Sequence, residues 1–268
     1  MIMGRRAPAT DADVRVTMGK RVPTTDADVR MTTGRRAPTT EFAFGGGVVI
    51  VGLTGGIASG KSSIARQLIR LGFFIIDADV LAREVVQPGT DGLREVIAAF
   101  GEQYVESDGT LNRQKLGALI FSDPDARAQL NGIVHPRVRE SMWRKAEVYA
   151  GMDARRVAVL DIPLLFEVGV HTLIDVTVLV YAPVPLQFAR LMKRNGLNEH
   201  EAALRIEAQM DIEEKRRMSD VIVENVGEEE TVPRLAEELG NVLRTMAVDG
   251  ARMQGTFDRS VVTKAVIR

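Results

Sequence analysis

Short apolar runs rich in β-branched residues recur along the chain, separated by stretches whose apolar residues fall three and four apart. Five runs read as buried strands, at residues 48–53, 73–76, 157–161, 175–181 and 220–225. Helical spacing follows at 63–71, where Gly72 stands as the glycine that ends a helix in the left-handed conformation. It recurs at 80–86 and 92–100, and from Arg113 to about Tyr149, where Pro136 should end one helix and start another. Further helices are expected at 185–192 and 199–212, the latter carrying Arg205 and Gln209. The last is expected at 229–246, with Val232, Leu235, Leu239, Val242 and Leu243 on one face. Strands alternating with helices predict the α/β class, with a five-stranded, mostly parallel sheet.

The ends of the chain break this pattern. Residues 1–40 hold a repeat of about 15 residues, beginning at Met3 and again at Met18, with a partial copy from Thr33. The repeat has few large apolar side chains and no helical stripe, so a disordered extension over 1–47 is expected. Its eight Lys/Arg against four Asp leave open a basic tail that touches RNA or anionic lipid. Residues 247–268 show weak periodicity and read as a tail.

Composition narrows the class. The chain has 268 residues, 45% hydrophobic and 26% charged, ordinary for a globular protein of one sizeable α/β domain. The lack of cysteine removes disulfides and thiolate chemistry and suits a reducing cytoplasm. No apolar run approaches 18 residues, so no membrane partner is expected, and a net charge of −1 gives no general nucleic-acid footprint.

The chemistry concentrates at Gly55-Gly56-Ile57-Ala58-Ser59-Gly60-Lys61-Ser62, which fits G-x-x-x-x-G-K-[ST] between a predicted strand and a predicted helix. Glycines let the backbone approach phosphate oxygens, and successive N–H groups converge on an anion at a helix start. Lys61 would reach the β- and γ-phosphates, and Ser62 would ligand Mg²⁺. Strand ends supply carboxylates where open α/β sheets bind ligands. Asp79 is placed to accept a hydroxyl proton or hold Mg²⁺ through water; Asp77 suits either task or a helix cap. Asp161 ends a strand as a Walker B carboxylate does, suited to Mg²⁺ or water positioning. His135 and Arg139 are expected near a helix start that welcomes an anion, and a substrate-binding insertion spans about 88–150. Cations at Arg190, Arg194, Arg205 and Lys215 suggest a lid over about 185–216 that closes on phosphates. No N-K-x-D guanine motif is present, so a small-molecule kinase of the three-layer P-loop fold leads.

The order of further motifs narrows this class. Thr54 through Ser62, Asp77-Ala78-Asp79, Leu130-Asn131 with His135-Pro136, Asp161-Ile162-Pro163-Leu164-Leu165-Phe166-Glu167 and Asp220 through Asn225 together closely resemble dephospho-CoA kinase over about 48–246. The resemblance implies a nucleotide core, a helical CoA-substrate insertion and a lid. It implies ATP-dependent phosphorylation of the ribose 3′-hydroxyl of dephospho-CoA, with Mg²⁺, in a monomer or weak homo-oligomer. Asp79 takes the position of the family's general base, with Lys61 and Arg194 beside it as catalytic cations. Gly55 through Ser63 form the phosphate site, and Asn225 falls near the adenine. Asp77, His135, Arg139, Leu165 and Glu167 match acceptor-side positions. Two departures stand out: Ala58 where glycine is common, and Asn195 where the family usually has aspartate. A kinase for another small acceptor, such as a nucleoside monophosphate, and a nucleotide-binding regulator are the rival readings.

Overall fold

The computed structural model describes residues 48–152, 157–250 and 264–268. The repeat at 1–40 lies outside them. Six strands form one sheet in the order β2-β3-β1-β4-β5-β6, with every neighbouring pair parallel. These are β1 Val49–Gly55, β2 Phe74–Asp77, β3 Val157–Asp161, β4 Val176–Tyr181, β5 Val221–Glu224 and β6 Ala265–Ile267.

β1 is buried along its length because it sits between β3 and β4 and is covered on both faces. A parallel strand so placed needs a continuous apolar run rather than alternation. On one face α1 (Lys61–Arg70) and α9 (Val232–Gly250) pack Ile64, Leu68, Leu235, Leu239 and Leu243 against Val51, Val159 and Val178. On the other, α5 (Pro124–Met152) lays Val138, Met142, Trp143 and Ala146 against Ile50, Ile76 and Leu160. Gly52 makes the second contact possible. A Cβ there would stand 2.3 Å from Ile174 Cδ1 and 2.9 Å from Leu165 Cδ2, so only a bare backbone lets both side chains reach the central strand. Two aspartates tie strand starts to neighbours: Ile50 N–H donates to Asp175 Oδ2 at 2.8 Å, and Thr177 N–H to Asp220 Oδ2 at 2.9 Å.

Between β2 and β3 the chain inserts α2 (Ala78–Glu84), α3 (Asp91–Phe100), α4 (Arg113–Ser122) and α5. Val86, Val96 and Leu116 form a small core of their own there, with Phe100, Leu130 and Val134 against it. After β4 come α6 (Val184–Asn195), α7 (Glu199–Glu207) and α8 (Ile212–Met218).

Three expectations are corrected. The sheet has six strands, not five, because residues 265–267 of the expected tail add to the open edge of β5. Arg268 Nε then donates to Glu224 Oε2 at 2.9 Å, and the Arg234 guanidinium to the Arg268 carbonyl at 2.8 Å. Pro136 does not divide α5, which runs through it for 29 residues. The ring is on the exposed side, Gly132 four residues earlier offers no Cβ to it, and the Arg137 guanidinium donates to the Ile133 carbonyl at 2.7 Å. Packing of the next two turns on the sheet outweighs the lost bond. Finally, the helix expected over 199–212 stops at Glu207, and a separate helix, α8, starts at Ile212, where the Asp211 side chain caps it by accepting from Glu213 and Glu214 N–H. Gln209 therefore falls in the joint.

Candidate active site

The carboxyl ends of the strands meet along one edge of the sheet. There β1 delivers the Gly55–Ser62 loop, β2 and β3 deliver Asp77 and Asp161 as register partners, and β5 delivers Asn225. Gly60 precedes α1 at φ 94° and no side chain caps the helix, so the first amides of α1 are free for an anion. Ala58 stands at φ 57°, the one left-handed non-glycine among the described residues. Its Cβ is tolerated, at the cost of a strained backbone in the phosphate loop.

The loop is held from outside itself. Asn225, buried at the end of β5, donates from Nδ2 to the Ser59 carbonyl at 2.8 Å. A Cβ on Gly60 would come within 2.1 Å of that Nδ2, and one on Gly56 within 2.4 Å of Oε1 of the buried Gln187. Those two glycines are required by close approach as much as by dihedral freedom. Gln209 Oε1 accepts from Ile57 N–H at 2.8 Å across 152 residues of chain.

Lys61 Nζ donates to Asp161 Oδ1 in an almost buried ion pair. Burial pushes the Asp161 carboxyl above its ordinary value; Lys61 opposes the shift, and Asp77 and Asp79 add to it. Three carboxylates thus converge opposite the loop. Among the described residues no group of three His, Cys, Asp or Glu forms a metal cage. Mg²⁺ in such a site is bound through few carboxylates and the substrate phosphates. The hard oxygen donors of Ser62, at the start of α1, and Asp161 fit that mode.

Two cavities open along this edge. One, of about 1130 Å³, is lined by residues 55–63, Arg66, Arg190, Lys193, Arg194 and residues 225–229. The other, of about 630 Å³, is lined by Arg113, Leu130, Asn131, His135, Arg139, Met142 and Leu164. Asp79, Pro163 and Gln209 line both.

Of the expected site residues, Gly55 through Ser63, Arg190, Arg194 and Asn225 gather at the first cavity, His135 and Arg139 at the second, and Asp79 between them. His135 and Arg139 are there as neighbours one turn apart on α5, not at a helix start. Burial, and then the Arg139 charge, hold the His135 imidazole below its ordinary pKa, so it is neutral at pH 7. Arg190 is spoken for by carbonyls, donating to Asn225 O at 2.9 Å and Gly227 O at 2.8 Å, which shapes the cavity wall. Arg194 donates from Nε to Asn195 Oδ1 at 2.9 Å.

Six others line neither cavity: Asp161, buried against Lys61, and five more. Asp77 lines neither cavity and caps α2, accepting from Asp79 N–H at 2.8 Å and Val80 N–H at 3.1 Å. Leu165 is fully buried in the sheet core and closed to an acceptor. Lys215 is not a lid cation: it is wholly buried, 2.7 Å from Glu167 Oε1 and 3.3 Å from the Pro163 carbonyl. Glu167 is therefore engaged with Lys215 and with Met210 N–H at 3.1 Å, not with the acceptor cavity. Arg205 is exposed and lines neither cavity. Glu167→Ala would strand a buried ammonium, and we expect a loss of roughly 3–5 kcal/mol in urea unfolding. The double change Glu167→Leu with Lys215→Met should recover much of it.

Sequence reasoning missed Gln187, Arg113 and the contact of Gln209 with the loop. A buried glutamine one turn into α6 carries no pattern that distinguishes it from a surface one.

The sequence model of the dephospho-CoA kinase family matches residues 49–230. The chain belongs to that family. It is 45% identical over 196 residues to the dephospho-CoA kinase of Oceanobacillus iheyensis, covering 73% of this chain and 96% of that one. It is 48% identical over 184 residues to that of Shouchella clausii, covering 69% and 93%. A Thermus thermophilus crystal structure aligns with a TM-score of 0.61 at 34% identity over 75% of this chain and 98% of the other. A Campylobacter jejuni dephospho-CoA kinase shares the fold, with a TM-score of 0.58 at 23% identity over 73% and 97%. The relatives thus correspond to the central part of this dephospho-CoA kinase family member. No helix among the described residues is long and apolar enough to cross a membrane.

Proposed function

We propose that the two cavities hold ATP and dephospho-CoA, and that the γ-phosphoryl group passes between them to the ribose 3′-hydroxyl, giving coenzyme A and ADP as the last step of CoA synthesis. The observation that carries this reading is the placement of Asp79. It lies at the second position of α2 and lines both cavities, so one carboxylate faces the phosphate loop and the acceptor side together.

The roles follow from chemistry. Loop amides and Lys61 gather the β- and γ-phosphates, and Asp161 aims Lys61 at them. Ser62 and Asp161 would hold Mg²⁺, which would supply positive charge to offset that of the phosphates when ATP is bound. Asp79 takes the 3′-hydroxyl proton as the new O–P bond forms. His135, Arg139 and Arg113 face the acceptor, two of them fixed cations suited to its phosphates. Arg194 and Lys193 stand over the nucleotide side and would stabilise the leaving diphosphate. Since chemistry at the protein is slight, positioning and charge supply most of the acceleration. The enzyme would act in the cytoplasm as a monomer or weak homo-oligomer, without membrane or nucleic-acid partners.

ADP release should be measured with ATP and Mg²⁺, offering dephospho-CoA beside AMP, CMP, adenosine and a blank. Turnover with dephospho-CoA alone is expected. Turnover only with another acceptor would discard the substrate assignment, and bound ATP without transfer to any acceptor would make the chain a nucleotide-binding regulator.

A further inference from the structure

Gln209 occupies a place that the roles above leave unused. It sits in the joint between α7 and α8, on the lid side of the cleft, yet its side chain crosses to the phosphate loop. Among the described residues, Asp79 and Pro163 alone share with it the lining of both cavities. Asp79 deals with the acceptor proton, and the Pro163 carbonyl is engaged by Thr54 and Lys215.

The orientation of the carboxamide is decided by its partner. Ile57 N–H is a backbone donor, so the atom 2.8 Å from it must be the amide oxygen. With Oε1 committed to the loop, Nε2 points away from it, and no other described residue accepts from Nε2. Gln209 lines both cavities, and with its oxygen pinned to the loop its two N–H groups are left without a partner among the described residues. They are neutral donors placed where the transferred group must pass. A donor that is already oriented costs no reorganisation when charge moves onto the equatorial phosphoryl oxygens.

We propose that Gln209 is a transition-state donor to the transferred phosphoryl group, held in aim by the Ile57 amide. This rests on the kinase reading above. In the step, the acceptor oxygen forms its bond to the γ-phosphorus and the bond from that phosphorus to the β–γ bridging oxygen breaks. The electron pair leaves on ADP and the hydroxyl proton goes to Asp79. Gln209 forms no covalent bond; its N–H groups shorten their contacts as the three equatorial oxygens flatten between donor and acceptor. The same contact makes catalysis sensitive to the lid, because the donor belongs to the α7–α8 joint and its anchor to the loop.

Q209M removes acceptor and donor alike at similar length, and Q209E keeps an oxygen for Ile57 N–H but removes the donor. Both are assayed at saturating ATP and dephospho-CoA, with ATP affinity measured separately by equilibrium titration and folding by thermal unfolding. For Q209M we expect kcat to fall about 100-fold with ATP affinity within about threefold of the parent, as for loss of one preorganised donor. Q209E should be no better than Q209M. The ratio of kcat with ATP to kcat with ATPγS should also drop about fivefold in Q209M, because sulfur is the weaker acceptor and the variant no longer has the donor that senses it. A kcat within about threefold of the parent overturns the proposal. So does a fall in kcat with an unchanged thio ratio and a near-normal Q209E, which would make Gln209 a staple between lid and loop. A parent that transfers only to another acceptor overturns the acceptor assignment, and the Gln209 comparison is then made on that acceptor. A parent that transfers to nothing overturns both.

Discussion

Lys61→Met reduces kcat by about 1000-fold or more, the loss expected when a preorganised charge aimed at a transferring phosphoryl group is removed. Rapid-quench measurement of phosphoryl transfer at saturating substrates checks it, and a kcat within tenfold of the parent would refute the assignment. The change has a second consequence. Lys61 is the partner of Asp161, whose side chain is 7% exposed, so the variant keeps a buried carboxylate without its counter-charge. In the parent, burial already raises the Asp161 pKa and Lys61 opposes the shift. With the lysine gone, the folded-state pKa rises further above the unfolded one, and the folded state binds the extra proton between the two values. Stability of the variant relative to the parent therefore improves as pH falls toward the ordinary carboxylate range and worsens as pH rises through the elevated pKa. Urea midpoints of both proteins across that range should diverge with rising pH. Parallel curves would mean that Asp161 finds another partner.

Asp79→Asn lowers kcat by about 10²–10⁴-fold, the usual span for a general base, while ATP affinity changes little. The reason for the split is geometric. Asp79 lines both cavities, whereas on the proposed reading ATP would be held by loop amides, Lys61 and the backbone that Asn225 braces. Asparagine is isosteric and keeps the start of α2 intact, because the cap there is Asp77 and not Asp79. Thermal unfolding should therefore match the parent closely. A near-normal kcat would remove Asp79 from the proton path.

Much of the site is local and could be read from the chain. The phosphate loop carries its own glycine spacing, and Asp79 and Asp161 follow short apolar runs that a parallel sheet makes into strand ends. His135 and Arg139 line one cavity, but the helix start expected to bring them there does not exist, since α5 continues through Pro136. Lys215 and Glu167 pair with each other instead of facing a ligand, because a cation and a carboxylate carry no local mark of burial in the sequence. The two neutralise each other beneath the cleft.

Sequence by itself determined the α/β alternation, the phosphate loop, the carboxylates at the strand ends and the family. The first three depend on periodicities or residue chemistry spanning a few residues, and the family on the order of such short motifs along the chain. Tertiary structure alone decided the sixth strand, whose three residues have too little pattern to announce themselves and exist as a strand only because β5 has an open edge to pair. It alone decided that α5 is continuous, because packing on the sheet outweighs one missing backbone bond. And it alone brought Gln209 to Ile57 across 152 residues, since a hydrogen bond over that separation is set by the closing of the fold and leaves no trace in local sequence.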